Sequence, residues 1–218
     1  MERRKTLFPL VLIISSFILL SACGTDSVRP RLSDEEISAL RQEYPYDEQS
    51  AASAESSKID RVVHLIDAVV VIKVAGDSFT NPVFASPVDD PSAPFSNTVD
   101  CEYLQAHIEK VLFDSAGLSE SDTVNLFFGS VLYAGSLEAF KTGERYLCLI
   151  NKPDEDELFA YDETVFSCSK NSSAYLTKDN FLLALTQQGY LEEYTGYSLE
   201  AFCKELLPLL SQRETTGQ

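Results

Sequence analysis

Apolar positions along the chain fall into three patterns: one unbroken run near the start, a helical stripe at either end, and short β-branched or aromatic stretches between them. Leu7 to Leu20 is apolar apart from Pro9, Ser15 and Ser16. Those 14 residues fall short of the roughly 20 that cross a bilayer as a helix. Behind the basic start Met1-Glu2-Arg3-Arg4-Lys5 and ahead of small residues, they read as a secretory signal. Next comes Leu32-Ser33-Asp34-Glu35-Glu36-Ile37. Ser33 and Glu36 have capping-box spacing, and Leu32 and Ile37 stand at the two positions of a hydrophobic staple. Ile37, Leu40 and Tyr44 share a face, and Pro45 stops the run, so a short helix is predicted over 34–44. Its stripe is narrow, which suits a helix resting on a larger body, with partner docking as the sharper alternative. DEQSAASAESS, from Asp47 to Ser57, carries no bulky apolar residue and reads as a linker.

From Lys58 the pattern changes. Ile59, Val62, Val63 and Ile66 fit a short helix, and Val69 to Val74 is a β-branched run ended by Gly76-Asp77, the mark of a buried strand. Residues 77–98, with four prolines, read as a long loop. Asp100 to Phe113 fits both a strand and a helix, with the turn Asp114 to Gly117 favouring the strand. Further strands are expected at 122–129, 131–134, 146–150, 158–161 and 165–169, and a hairpin turn at 170–173 before Ala174-Tyr175-Leu176. Asp179 could cap a short helix reaching Thr186. Ser198 caps the clearest helix of the body, near 199–211, where Leu199, Phe202, Leu206, Leu209 and Leu210 line one side and Pro208 would strain the last turn. The expected fold is α+β: a small antiparallel β-barrel with flanking helices, over 58–212, with 213–218 a disordered tail.

Leu20-Ser21-Ala22-Cys23-Gly24 resembles the lipobox of bacterial lipoproteins. The resemblance implies removal of 1–22, a diacylglyceryl thioether on Cys23 with acyl chains such as palmitate, and residence on the extracytoplasmic face of the cell membrane. Residues 23–57 would then be a tether carrying the short helix. Two acyl chains anchor stably where one does not. Removing Glu2, Arg3, Arg4 and Lys5 with the signal takes the formal charge from −17 to −19. Anionic lipid headgroups repel such a body, and counterion release from nucleic acid needs the opposite sign. Nucleic acid is therefore excluded as a partner. A basic protein or a cationic cell-wall component is the expected one, held more weakly as salt rises.

The order "DAVVVIKVAG", a long loop, "YLQAHIEKVLFDSAG", "DTVNLFFGS" and "FKTGERYLCLINK" is similar to that of small extracytoplasmic proteins of Gram-positive bacteria, many of them lipoproteins. The resemblance, over about 58–150, implies an OB-like or netrin-module-like barrel.

Candidate chemistry is sparse. His64 sits among apolar neighbours, and His107-Ile108-Glu109 shows the H-x-E of zinc deaminases without its P-C-x-x-C partner. The acidic runs Asp89-Asp90, Asp154 to Glu157 and Asp162-Glu163 lack the glycine of a calcium loop. No catalytic, metal or cofactor residues are assigned. Cys101, Cys148, Cys168 and Cys203 remain once Cys23 is lipidated. An even number in an oxidising compartment favours at least one bridge, with three connectivities open and buried free thiols the close alternative. Tyr190, Tyr194 and Tyr197 around Gly196 form a candidate binding patch, or simply cover the body beside the last helix. The functional expectation is a lipid-anchored, non-enzymatic binding module. The alternatives are a cell-envelope hydrolase and a structural subunit of an envelope complex.

Overall fold

The computed structural model describes residues 30–47, 58–84, 98–130, 137–152 and 165–216. Among the described residues two helices flank one sheet: α1 (Asp34–Leu40) and α2 (Leu199–Thr216). The strands are β1 (Ala68–Val74), β2 (Phe79–Phe84), β3 (Thr98–Asp114), β4 (Thr123–Ser130), β5 (Arg145–Ile150), β6 (Val165–Ser167), β7 (Ser173–Leu176) and β8 (Leu182–Ala184). Their order across the sheet is β6-β4-β3-β1-β5-β7-β8, with β2 also paired to β3. All pairs are antiparallel except β4 with β6.

The central strand is β1, and its β-branched run is buried on both faces. Ala68, Val70, Ile72 and Val74 enter one core and Val69 and Val71 the other. The second core is closed by α2 through Phe202, Leu206 and Leu210. The first carries a row of rings, Phe128, Phe140, Tyr146, Tyr175 and Tyr44, with neighbouring centroids 5.0, 4.8, 5.4 and 5.3 Å apart. The Tyr146 hydroxyl donates to the Ala139 carbonyl and accepts from the Lys141 N–H, each at 2.8 Å, which satisfies a polar tip that burial would otherwise penalise.

The long strand β3 serves two partners along one edge. Its Ala106–Asp114 half pairs with β1 and its Thr98–Tyr103 half with β2. It ends where Asp114 Oδ1 accepts from the N–H groups of Ala116 and Gly117 at 2.7 and 3.0 Å, and Oδ2 accepts from Leu118 at 2.9 Å. Gly117 stands at φ +82° there, a conformation open to glycine at little cost.

Several expectations need correction. The sheet is open and not a closed barrel; among the described residues only a two-hydrogen-bond bridge, Asn151 with Ser167 at 3.0 and 2.9 Å, links β6 to the chain after β5. Residues 79–84 of the expected loop are strand β2, where Pro82 is tolerated because, among the described residues, β2 pairs with β3 alone. Residues 100–113 are wholly strand. The expected helix near 179–186 is strand β8, paired with β7 across a Thr177–Asn180 turn. Residues 170–172 do not make a hairpin, because β6 pairs with β4 and β7 with β5. The 59–66 helix is two single 3-10 turns, Ile59–Arg61 and Val63–Leu65. Helix α1 stops at Leu40, and α2 runs through Pro208 to Thr216. The strands expected at 131–134 and 158–161 lie outside the described residues.

Residues 30–47 are bound tightly to the body. The capping box forms as read, Ser33 Oγ accepting from the Glu36 N–H at 3.4 Å and Glu36 Oε2 from the Ser33 N–H at 2.8 Å. Leu32 N–H donates to the Gly196 carbonyl, Ser198 N–H to Pro30, and Asp47 N–H to Leu185, all at 2.8 Å. Arg41 donates to the Ala184 carbonyl at 2.8 Å. Its guanidinium lies over the Tyr46 ring, 3.5 Å from the centroid. The Lys170 ammonium meets the Asp47 carboxylate at 2.7 Å with side chains only 5% and 8% exposed.

Candidate functional site

Two clefts open beside the strand connections. The first has a volume of about 590 Å³ and is lined by Asp77, Ser78, Glu102, Leu137, Glu138, Phe140, Lys141 and Thr142. Local folding explains each acid. Asp77 follows the Gly76 turn that breaks the edge between β1 and β2, and Thr142 Oγ1 donates to its Oδ1 at 3.2 Å. Glu102 lies on β3 opposite Thr80 of β2 and accepts from that hydroxyl at 3.4 Å. Glu138 sits between Leu137 and Phe140, whose burial in the first core fixes the segment at the rim. The cleft therefore gathers three carboxylates against the single Lys141 ammonium. Asp77, Glu138 and Lys141 are exposed and Glu102 is half-buried.

The second cleft, about 200 Å³, lies at the β6–Asn151 bridge. Val62, Leu65, Ile66 and Leu149 give it an apolar wall; Asn151, Ser167, Ser169, Ser172 and Tyr190 give it polar groups, and Cys168 lines it too. Cys168 is held by the turn that follows β6. Ser169 caps that turn by accepting from the Ser172 N–H at 3.1 Å. Behind Cys168, toward the first core, stands Cys148 on β5. The Ser173 hydroxyl lies 3.4 Å from the Cys168 sulfur and 3.6 Å from that of Cys148, so the two thiols share one hydroxyl. Burial pushes the Cys148 thiol well up. Burial raises Cys168 as well, but the neighbouring Cys148 thiol and the Ser173 and Ser172 hydroxyls outweigh it and bring this thiol below its ordinary value.

The remaining predicted residues are dispersed. Cys101 lies in a small cluster with Tyr103 and Val165, and Cys203 lies on α2 against the second core. All four cysteines are free thiols here. Of the tyrosine patch, Tyr194 is core, packed edge-on against Tyr197 and Phe202 at 5.6 and 5.0 Å. Tyr197 is half-buried beneath the Arg31 guanidinium, and Tyr190 faces the second cleft. The structure does not bring the three together as one exposed surface. His107 bonds Thr123 at 2.9 Å, and Glu109 is paired with Arg145 at 2.7 Å. Among the described residues, no group of three or more His, Cys, Asp or Glu side chains is placed to hold a metal ion. Cys23 and the acidic runs at 89–90, 154–157 and 162–163 lie outside those residues.

Sequence reading missed the acidic cleft because its carboxylates are separated along the chain. The β2–β3 pairing and the folding of 137–142 beneath the sheet bring them together. No protein-family model and no curated protein matches the chain.

Proposed function

We propose that the protein is anchored through a lipid on Cys23 at the outer face of a bacterial cell membrane and acts there as a binding module without catalysis. Its partner is a basic protein or a cationic wall component. The acidic cleft carries this reading: about 590 Å³ of open space bounded by Asp77, Glu102 and Glu138 with one opposing lysine. The chain's formal charge of −17 reinforces the field there. A five-strand path through β1, β3, β4 and β6, returning from β6 to Asn151 after β5, supports the OB-like reading of the body. Modules of that type bind on a strand face and the loops beside it. Asp77 and Ser78 follow the first strand of the path, and Asn151 follows β5, so both clefts border such loops.

The anchor would be short. Pro30 is already fixed to Ser198, so the chain from Cys23 to Pro30 spans at most about 25 Å at 3.3–3.6 Å per residue. Repulsion between the acidic body and anionic headgroups reaches about 8 Å at physiological salt. The body is therefore held close to the bilayer but lifted off it, with the start of α2 on the tethered side. A screen for turnover of wall glycans, peptides and esters by the full chain in detergent tests the absence of catalysis. Turnover abolished by replacing a single cleft carboxylate would favour the hydrolase instead.

A further inference from the structure

We propose that Cys148 and Cys168 are a disulfide pair, closed by exchange with an external disulfide that reaches Cys168 through the second cleft. Three observations converge on this pair and not on the other two thiols. Cys148 and Cys168 flank one hydroxyl, that of Ser173, at 3.6 and 3.4 Å, and both belong to the same buried cluster. Cys101 and Cys203 each belong to a different cluster. Only Cys168 among the four lines either cleft, so a reagent has a route to one sulfur of the pair and the other can resolve the product.

The chemistry balances as two exchange steps. The Cys168 thiol gives up its proton, and its thiolate attacks one sulfur of the external disulfide. A mixed disulfide forms, and the first external thiolate leaves with that proton. Cys148 then attacks the Cys168 sulfur, its own proton passing to the second departing thiolate. Two protein thiols have been oxidised by two electrons and one external disulfide has been reduced to two thiols. The two sulfurs, which share the Ser173 hydroxyl, must close to about 2.05 Å. Cys168 stands at the end of β6, its N–H still donating to the Phe127 carbonyl at 2.9 Å, so the approach falls on the side chains and on the 170–172 turn that follows. The bridge would tie the β5 strand to the far end of the acidic segment 151–164.

The supply of oxidant in the cell rests on the extracytoplasmic reading, but the pairing itself does not. The full chain, purified in detergent with reductant and then cleared of it, is incubated with excess oxidised glutathione, denatured and alkylated. It is then cut after glutamate, since Glu155, Glu157 and Glu163 separate the two cysteines. The expected product is a Cys148 peptide linked to a Cys168 peptide, with Cys101 and Cys203 alkylated. Cys148→Ser should stop at one glutathione attached to Cys168. Alkylation of both Cys148 and Cys168 in the wild type, or a bridge using Cys101 or Cys203, would overturn the proposal. A bridge formed in vitro but four free thiols in protein taken from intact cells would retain the pair and count against the extracytoplasmic reading.

Discussion

Replacing Asp47 by Ala tests how firmly residues 30–47 belong to the folded body. Asp47 meets the Lys170 ammonium at 2.7 Å, and neither side chain is more than 8% exposed. Removing one partner leaves a buried charge without its counterion, which costs about 3–5 kcal/mol. An exposed pair would cost at most about 1 kcal/mol. For a chain of this size, each kcal/mol moves the melting temperature by about 2–4 °C, so the substitution should lower it by about 6–20 °C. Lys170→Met alone should do the same. The double variant Asp47→Leu/Lys170→Met should recover most of the loss, because apolar isosteres often replace a buried pair without penalty. Urea denaturation of the four proteins, followed by circular dichroism, gives the cycle. Single variants that each lose less than about 1 kcal/mol would refute the reasoning, and 30–47 would then be a loosely held strap.

Gly196→Ala should cost more than about 1 kcal/mol, since the glycine sits at φ +85° and an added Cβ would fall 2.5 Å from Ile37 Cδ1; chemical denaturation reads this. Leu206→Ala empties a position with no exposure between α2 and the sheet and should cost about 2–5 kcal/mol. Burial, with Glu193, Glu205 and Asp60 adding to it, pushes the Tyr194 hydroxyl up to about 12, and burial raises Tyr146 further. Both favour the neutral phenol in the folded state. Their stabilisation should therefore be intact below the unfolded value of about 10 and fall away as pH rises through 10 to 12, checked by melting temperature against pH. Cys23→Ser should abolish labelling by radioactive palmitate and leave the chain unprocessed or released, whereas labelling that persists would remove the anchor from the account.

The sequence made legible what local physics decides. The Val69–Val74 run, the capping box at Ser33–Glu36, the stop after Asp114 and the stripe of α2 each follow from residues close in the chain. Strand β2 was hidden because Phe79-Thr80-Asn81-Pro82 has neither alternation nor a clean apolar run, and only pairing with β3 makes it a strand. Strand β8 was hidden by Asp179, which looked like a helix cap, whereas Asn180 takes φ +61° in a tight turn. Closure was overestimated because strand count and turn spacing say nothing about whether the edges meet. The seating of α1 depends on Gly196 and Leu185, far along the chain, so its thin stripe could not reveal the partner. The acidic cleft and the Cys148–Cys168 contact share that character: each is created by strand pairing between distant segments.

The most direct test of the binding account is the affinity of the full chain for a lysine-rich peptide, measured by calorimetry over a series of salt concentrations. Wild type should be compared with Asp77→Asn/Glu102→Gln/Glu138→Gln. The account predicts binding by the wild type that weakens steadily as salt rises, and a large loss in the variant at low salt with its fold intact. Equal binding by both proteins, or binding to the wild type that salt does not weaken, would contradict it.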